Sequence, residues 1–292
     1  MARDRLPAIE WSDARYNVGV KIFRRVLGEI AASVAGHGRR TARRWCRHLR
    51  RGRNANSILY VVAPYRDREA HLREFVGGVN ARLGALGMDY RILIAEQSDD
   101  GLFNKGLLYN VAMKYIEEER NPGKNVYVCL HDIDILPNTV GNYGRPLDGA
   151  INHLYGYPFC LGGVFLVNLE DYARVNGFPN VYEGWGYEDM EYQRRSTIAG
   201  IRINRDNFEE RFSGKGFREL DHDEKAPSRK MGLPQTRRNE ALFAREMDPR
   251  SDGLNQLARW RECTTITVLP DHTVIHCRVD RLKALNGIRV PD

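Results

Sequence analysis

Residues 125–137 read NVYVCLHDIDILP, an apolar, β-branched run that closes on two carboxylates and a proline. A run that is continuously apolar, instead of alternating, reads as a strand buried on both faces, and Pro137 ends it. Two similar runs precede it, SILYVVAPY (57–65) and YRILIAEQ (90–97). Between the three lie DREAHLREFVGGVNARLGALG (67–87) and FNKGLLYNVAMKYIEEE (103–119), both with helical spacing of apolar residues. Strands alternating with helices imply βαβ units and an α/β fold built on a mostly parallel central sheet flanked by helices. Ligands of such sheets bind beyond the carboxyl ends of the strands. There the first strand runs into Arg66-Asp67-Arg68 and the third into His131-Asp132-Ile133-Asp134. After residue 155 the pattern is mixed, with strand-like GGVFLVN (162–168), helix-like MEYQRRSTIAG (190–200) and late strands TTITVL (264–269) and TVIHCRV (273–279).

The whole chain has 292 residues, of which 42% are hydrophobic and 28% charged. With a mean hydropathy of -0.53, this is the composition of a soluble globular protein and excludes disordered, collagen-like and multi-span membrane classes. No window supplies the unbroken apolar run of a membrane span, and MARDRLPAIEWSDAR (1–15) does not resemble a secretory leader. The net charge of +7 is concentrated in residues 1–53, which carry +10, while the remainder carries −3. The division expected is therefore a basic arm over 1–54 and a folded domain over 55–292, and nucleic acid is not an expected partner. In the arm, Val18, Ile22, Phe23, Val26, Leu27 and Ile30 form a helical stripe before an arginine-rich run, 37–53. That pattern suits peripheral contact with an anionic membrane surface through 16–53, and equally a helix packed on the domain with a solvated basic tail. Five widely spaced cysteines without a CxxC pair indicate neither a zinc site nor a disulfide framework, and fit a reducing compartment.

Three clusters carry candidate chemistry. Asp132 and Asp134, one residue apart at a strand end, suit a hard divalent cation that bridges diphosphate oxygens. Gly184-Trp185-Gly186 lets the backbone turn tightly around an indole, a platform for the apolar face of a sugar. Glu188 and Asp189 then open a helix, whose dipole favours ionised carboxylates. His222 lies among Glu219, Asp221 and Asp223, and with Asp134 completes a partial metal shell.

Taken in order, these segments resemble the β-1,4-galactosyltransferase family, inverting, metal-dependent glycosyltransferases with a GT-A type fold. The resemblance runs through most of 57–277: APYRDREAHL, FNKGLLYNVA, HDIDILP, GGVFLV, NGFPNVYEGWGYEDME and SDGLNQL. It implies that Asp134 and His222 bind Mn²⁺, or Mg²⁺, with Asp132 beside them. Glu219, where many animal members carry methionine, would be a third ligand in competition with Asp221. It implies Asp189 as catalytic base, Glu188 as an acceptor-binding carboxylate, and Trp185 with Gly186 packing on donor and acceptor. Pro64, Arg66, Arg68, Phe103 and Lys105 would contact the uridine nucleotide, Lys105 standing where arginine is usual. Gly163 would line the donor sugar.

Departures from the pattern bear on specificity. Cys160 stands where many members have a bulky tyrosine near the sugar's C2 substituent, so UDP-N-acetylgalactosamine joins UDP-galactose as an expected donor, galactose being preferred. Tyr187 replaces a glycine, and Met190 interrupts the acidic run. The activity expected is sugar transfer to a carbohydrate acceptor with a β-linkage, by a cytoplasmic enzyme at the inner face of a membrane. The stretch 206–239 is expected to be a mobile lid. The alternative is a catalytically silent sugar- or nucleotide-binding module of the same fold.

Overall fold

Strand β1 (Ser57–Tyr65) is buried along its whole length. Leu59, Val61 and Ala63 face one apolar cluster while Ile58, Tyr60 and Val62 face the other, the period-two alternation of a central strand. The structure, a computed structural model, describes residues 56–138, 143–220 and 233–289. On either side of β1 lie β2 (Tyr90–Gln97) and β3 (Asn125–His131), both parallel to it. Helix α1 (Glu69–Ala85) joins β1 to β2, and α2 (Lys105–Glu119) carries the chain from β2 back across β1 to β3. The two crossovers step in opposite directions, and right-handed connections therefore put their helices on opposite faces. Phe75, Val79 and Leu83 of α1 pack into one cluster, whereas Leu107, Val111, Met113 and Ile116 of α2 pack into the other. The reversal leaves a crevice between the carboxyl ends of β1 and β3, the topological switch point of the sheet.

Among the described residues the main sheet has nine strands. Its order is β10 (Thr264–Val268), β11 (Thr273–Cys277), β2, β1, β3, β6 (Val164–Asn168), β5 (Ala150–Gly156) and β7 (Arg202–Asn204), with β8 (Glu209–Glu210) also on β5. Pairings along it are mixed but mostly parallel, the antiparallel ones being β10 with β11 and β6 with both β3 and β5. A second, two-stranded sheet joins β4 (Ile135–Pro137) to β9 (Phe217–Glu219). The helices α3 (Leu169–Arg174), α4 (Glu188–Ile198), α5 (Pro234–Ala244) and α6 (Val279–Leu285) complete the layers. None of the described helices is long and apolar enough to cross a membrane.

Two expectations are corrected here. Residues 125–137 are two strands, because the chain turns at Asp132–Asp134 instead of continuing to Pro137. The stretch 206–239 is not a lid throughout. Residues 209–210 and 217–219 are strands pairing with β5 and β4, and 234–239 begin α5, with Pro234 in its first turn. The segment 221–232 and the basic arm lie outside the described residues.

Three of the motifs that carry the resemblance, FNKGLLYNVA, NGFPN and SDGLN, meet in a buried polar network. Asn110 Nδ2 donates to Phe178 O and Asn180 Oδ1, both at 2.8 Å, while its Oδ1 accepts from Tyr172 OH at 2.7 Å and Phe178 N at 3.0 Å. Asn180 Nδ2 donates to Gly253 O at 2.8 Å, and its N–H to Asp252 Oδ1 at 2.9 Å. Arg195 donates to Asp252 O at 2.7 Å and to Glu191 Oε1 at 3.0 Å, tying α4 to the same knot. Only glycine fits at 253, where φ is +149° and a Cβ would lie 2.0 Å from Asn176 O. Replacing Asn110 by alanine orphans several buried groups, each worth about 1–3 kcal/mol. Chemical denaturation of Asn110→Ala is expected to show a loss of at least that size, with no change in metal or nucleotide contacts.

Candidate functional site

The site is built at the crevice. Beyond His131 the chain turns tightly, with Ile135 N–H donating to Asp132 O at 3.2 Å and Asp132 N–H to Gly163 O at 3.0 Å. Asp134 O accepts from Leu220 N–H at 2.7 Å, so β9 ends against this turn. Beneath the turn, His131 is packed edge-on to Phe75 and Phe217, and burial pushes its imidazole down to about 4, so it is neutral. From the end of β1, Arg68 brings Nη1 to 3.8 Å from Asp134 Oδ2. Arg66 donates to Gly101 O at 2.6 Å and lies over the Phe103 ring at 5.6 Å. Pro64 sits in β1 opposite Ala95 of β2.

A half-buried cation organises the carboxylates. Asn104 caps α2, accepting from Leu107 N–H at 2.9 Å, and so points Lys105 out of its first turn. Lys105 Nζ lies 2.8 Å from Asp189 Oδ1, 2.9 Å from Glu188 Oε1 and 3.9 Å from Asp132 Oδ1. Burial alone would lower the lysine pKa, but Asp189, Glu188 and Asp132 outweigh it and hold the ammonium well above its ordinary value. Asp189 moves the other way from a normal carboxylate. Burial raises it to about 8, against the pull of Lys105 and with help from Glu188 and Asp132. Asp132 is raised too, again by burial first.

Close backbone approach makes room for this cluster. At Gly162 a Cβ would fall 2.5 Å from Asp189 Oδ2, and at Gly163, with φ +80°, one would fall 2.4 Å from Tyr155 O. Cys160 is buried within the field of Asp189, Lys105 and Glu188, and burial raises its thiol so that it stays protonated.

The aromatic loop is clamped from behind. Thr236 Oγ1 donates to Trp185 O at 3.1 Å, and Asn239 Nδ2 to Glu183 O at 2.9 Å and Gly186 O at 3.0 Å. Lys283 and Arg238 hold the Glu183 carboxylate. Trp185 is left half-buried. Tyr187 adopts φ +75°, a left-handed conformation that favours the glycine the family pattern has there, and its ring rests against Phe243 at 5.7 Å.

The fold thus gathers Asp132, Lys105, Cys160, Glu188 and Asp189 into one cluster, with Gly163, Asp134 and Arg68 against its Asp132 turn. It does not bring Glu219 to a metal. Arg211 Nε and Nη2 donate to the two Glu219 oxygens at 2.7 and 2.9 Å, and Tyr155 OH donates to Oε1 at 2.7 Å. His222 lies outside the described residues. Among the described residues no group of three or more His, Cys, Asp or Glu is placed to hold a metal ion. Sequence reasoning missed Gly162, Arg211, Thr236 and Asn239. Only Gly162 carried a signal, the paired glycines before VFLV, since the others act through partners remote in the chain.

A family model described as the N-terminal region of glycosyl transferase group 7 matches residues 51–144, and one described as the N-terminal domain of galactosyltransferase matches 150–219. Together they account for more than half the chain. The chain belongs to the β-1,4-galactosyltransferase family. It is 35% identical over 156 residues to a xylosylprotein 4-beta-galactosyltransferase of Caenorhabditis elegans, covering 50% of this chain and 53% of that protein. To a beta-1,4-galactosyltransferase 3 of Cricetulus griseus it is 32% identical over 164 residues, 53% of this chain and 41% of that one. The chain spans about half the length of the curated relatives it matches. The solved catalytic domain of a Drosophila beta-1,4-galactosyltransferase 7, in complex with xylobiose, superposes with a TM-score of 0.58 at 22% identity, over 77% of this chain and 97% of that chain. A mutant of that protein was solved with manganese, UDP-Gal and xylobiose. The likeness establishes a GT-A fold for this family member.

Carbon-detected NMR of the metal-free protein, assigned by difference with Asp189→Asn, is expected to show one carboxyl titrating near 8. Because Lys105 favours the ionised form, Lys105→Met is expected to move that midpoint higher still. A midpoint in the ordinary carboxylate range would contradict the buried setting described for Asp189.

Proposed function

We propose that this protein is a metal-dependent inverting glycosyltransferase that moves galactose from UDP-galactose to a sugar hydroxyl, forming a β-linkage, β-1,4 by family. The observation that carries the reading is geometric: Lys105 joins Asp189 and Glu188, at 2.8 and 2.9 Å, to Asp132 of the Asp132–Asp134 turn at the sheet's switch point, and partial burial there raises Asp189. A group titrating near 8 is matched to abstracting a proton near neutral pH.

Hard carboxylate oxygens suit Mn²⁺ or Mg²⁺, and Asp134 with His222 would hold the ion. In the sequence His222 follows Leu220 by two residues, and Leu220 N–H bonds Asp134 O. Glu219 is better assigned to Arg211, since both its oxygens are engaged. A divalent ion held there would supply positive charge for the donor diphosphate and for the departing UDP. Arg66, Arg68, Phe103 and Pro64 hold the nucleotide. Trp185 and Gly186 seat the sugars, Gly163 gives the donor ring close passage, and Glu188 binds the acceptor. Asp189 accepts the acceptor hydroxyl's proton as that oxygen attacks the anomeric carbon opposite UDP, so one displacement inverts the centre. Lys105, by favouring ionised Asp189, keeps the base competent. The +10 charge of residues 1–53 supports peripheral work at an anionic inner membrane face, and the buried free thiols Cys129, Cys160, Cys263 and Cys277 support a cytoplasmic setting. The small Cys160 side chain favours a second reading, in which the donor is UDP-N-acetylgalactosamine.

Incubation with Mn²⁺, a panel of UDP-sugars and simple β-glycosides is expected to release UDP fastest from UDP-galactose. Faster release from UDP-N-acetylgalactosamine would establish the second reading, and no metal-dependent transfer from any donor would leave a silent binding module. Asp189→Asn is expected to cut transfer by about 10²–10⁴ while Mn²⁺-dependent UDP binding persists. Since the base works ionised, kcat/KM of the unmodified protein is expected to fall as pH drops below about 8. A flat profile between pH 6 and about 8 would remove Asp189 from the role.

A further inference from the structure

Beside the carboxylate cluster, two phenylalanines stand in solvent. Phe159 is 59% exposed and Phe212 73%. A run of contacts between planar groups joins them. The Phe159 ring stacks on Tyr157, with centroids 5.3 Å apart and planes 17° from parallel. The Arg211 guanidinium lies 5.5 Å from the Tyr157 centroid and 5.3 Å from that of Phe212.

This row is held in place from below. Glu219 takes the Nε and Nη2 edge of Arg211 and is itself bonded by Tyr155 OH, while Arg211 N–H donates to Gly156 O at 2.9 Å. Phe212 N–H donates to Tyr155 OH at 2.9 Å. Ser213 N–H donates to Glu210 O at 3.1 Å, closing a turn whose third residue is Phe212 at φ +65°. A left-handed residue at that position of a turn is ordinarily glycine or asparagine, and a bulky one is strained. Neither the turn nor the core needs the phenyl ring. Strain kept at an exposed side chain is typical of positions that contact a ligand.

Charge and place say what covers the row. Glu219 neutralises Arg211 and occupies its donor edge, so ring and guanidinium faces are presented without a net charge to attract an anion. Such faces suit the apolar C–H face of a neutral sugar. In the order of the sheet, β1 and β2 lead to Arg66 and Phe103 on one side of β3 and Asp132. On the other side β5 leads into Tyr157–Phe159, and β8 into Arg211–Phe212. Cys160 follows Phe159, Gln193 of α4 donates to Phe159 O at 3.1 Å, and Arg211 is near enough to Asp132 for each charge to favour the other. The row therefore extends the site on the flank away from the nucleotide residues.

We propose that Phe159 and Phe212 form a stacking subsite for a second, neutral sugar ring of the acceptor, so that the protein prefers a disaccharide or longer glycan to a single sugar. The inference rests on the reading above, that this site transfers a sugar.

Methyl β-glycosides of xylose, glucose and N-acetylglucosamine are compared with their β-1,4-linked disaccharides by UDP release with Mn²⁺ and UDP-galactose. The wild-type protein is expected to favour a disaccharide over its monosaccharide in kcat/KM, through KM, by about two- to tenfold for each stacked ring. Phe159→Ala and Phe212→Ala are each expected to bring that ratio toward one. Equal ratios in the wild type and both variants would overturn the proposal. So would octyl β-glycosides that outdo the disaccharides and lose their advantage in the same variants, since the row would then take a lipid chain. Phe212→Gly separates contact from architecture: it is expected to melt no lower than the wild type, because glycine relaxes the turn, and still to lose the ratio. A lower melting temperature with the ratio kept would make Phe212 a structural residue and overturn its role. If no sugar receives galactose, the reading of the site fails separately, and saturation-transfer NMR with the same sugars decides the subsite. A disaccharide signal abolished by Phe212→Ala supports it, and an absent or unaltered signal overturns it.

Discussion

One half-buried ammonium holds the candidate site together. Lys105 stands at the start of α2 and reaches carboxylates from the β3 turn and from the first turn of α4. Three acidic groups this close, drawn out of water, would repel one another or take up protons without a cation among them. Lysine resolves the conflict with a single compact charge, and the remaining imbalance appears as the raised pKa of Asp189 and Asp132. The arrangement is poised, with a base that is neither freely ionised nor permanently protonated.

The support around it is made of hydrogen-bonded amides and tight glycines. Asn110, Asn180, Asp252 and Arg195 bind the back of α2, the loop before Trp185 and the inner face of α4 into one unit. Because each group is buried and satisfied, the unit is stiff, and the carboxylates at the front of α4 inherit that stiffness. Gly162 and Gly163 do the complementary work by leaving space, one for the Asp189 carboxylate and one for the crossing of β5 and β6. The NGFPN and SDGLN motifs therefore build the frame of the site, and touch its chemistry only at one remove.

Much of the fold was legible beforehand because it is written in local periodicity. The runs at 57–65, 90–97 and 125–131 have apolar centres and form strands whose middles are buried on both faces, and the segments between them form α1 and α2. The hidden parts were short or polar. β7, β8 and β9 have two or three residues each, too few for a period, and their existence depends on partners already in place. Glu219 shows the same limit at the site. Its spacing near His222 resembled a ligand set, but Arg211, eight residues earlier in the chain, takes both its oxygens once β8 and β9 turn back on the sheet.

By itself the sequence determined the strand and helix order, the switch point that order creates, the charge asymmetry between arm and domain, and the residues of each motif. These follow from side-chain period and covalent spacing, which need no partner. The tertiary structure alone decided that Lys105 would sit between Asp132 and Asp189, that Asp189 would be raised above an ordinary carboxylate, and that Arg211 would take both oxygens of Glu219. Those outcomes depend on burial and on distances between separate segments of the chain, which exist only after it has folded.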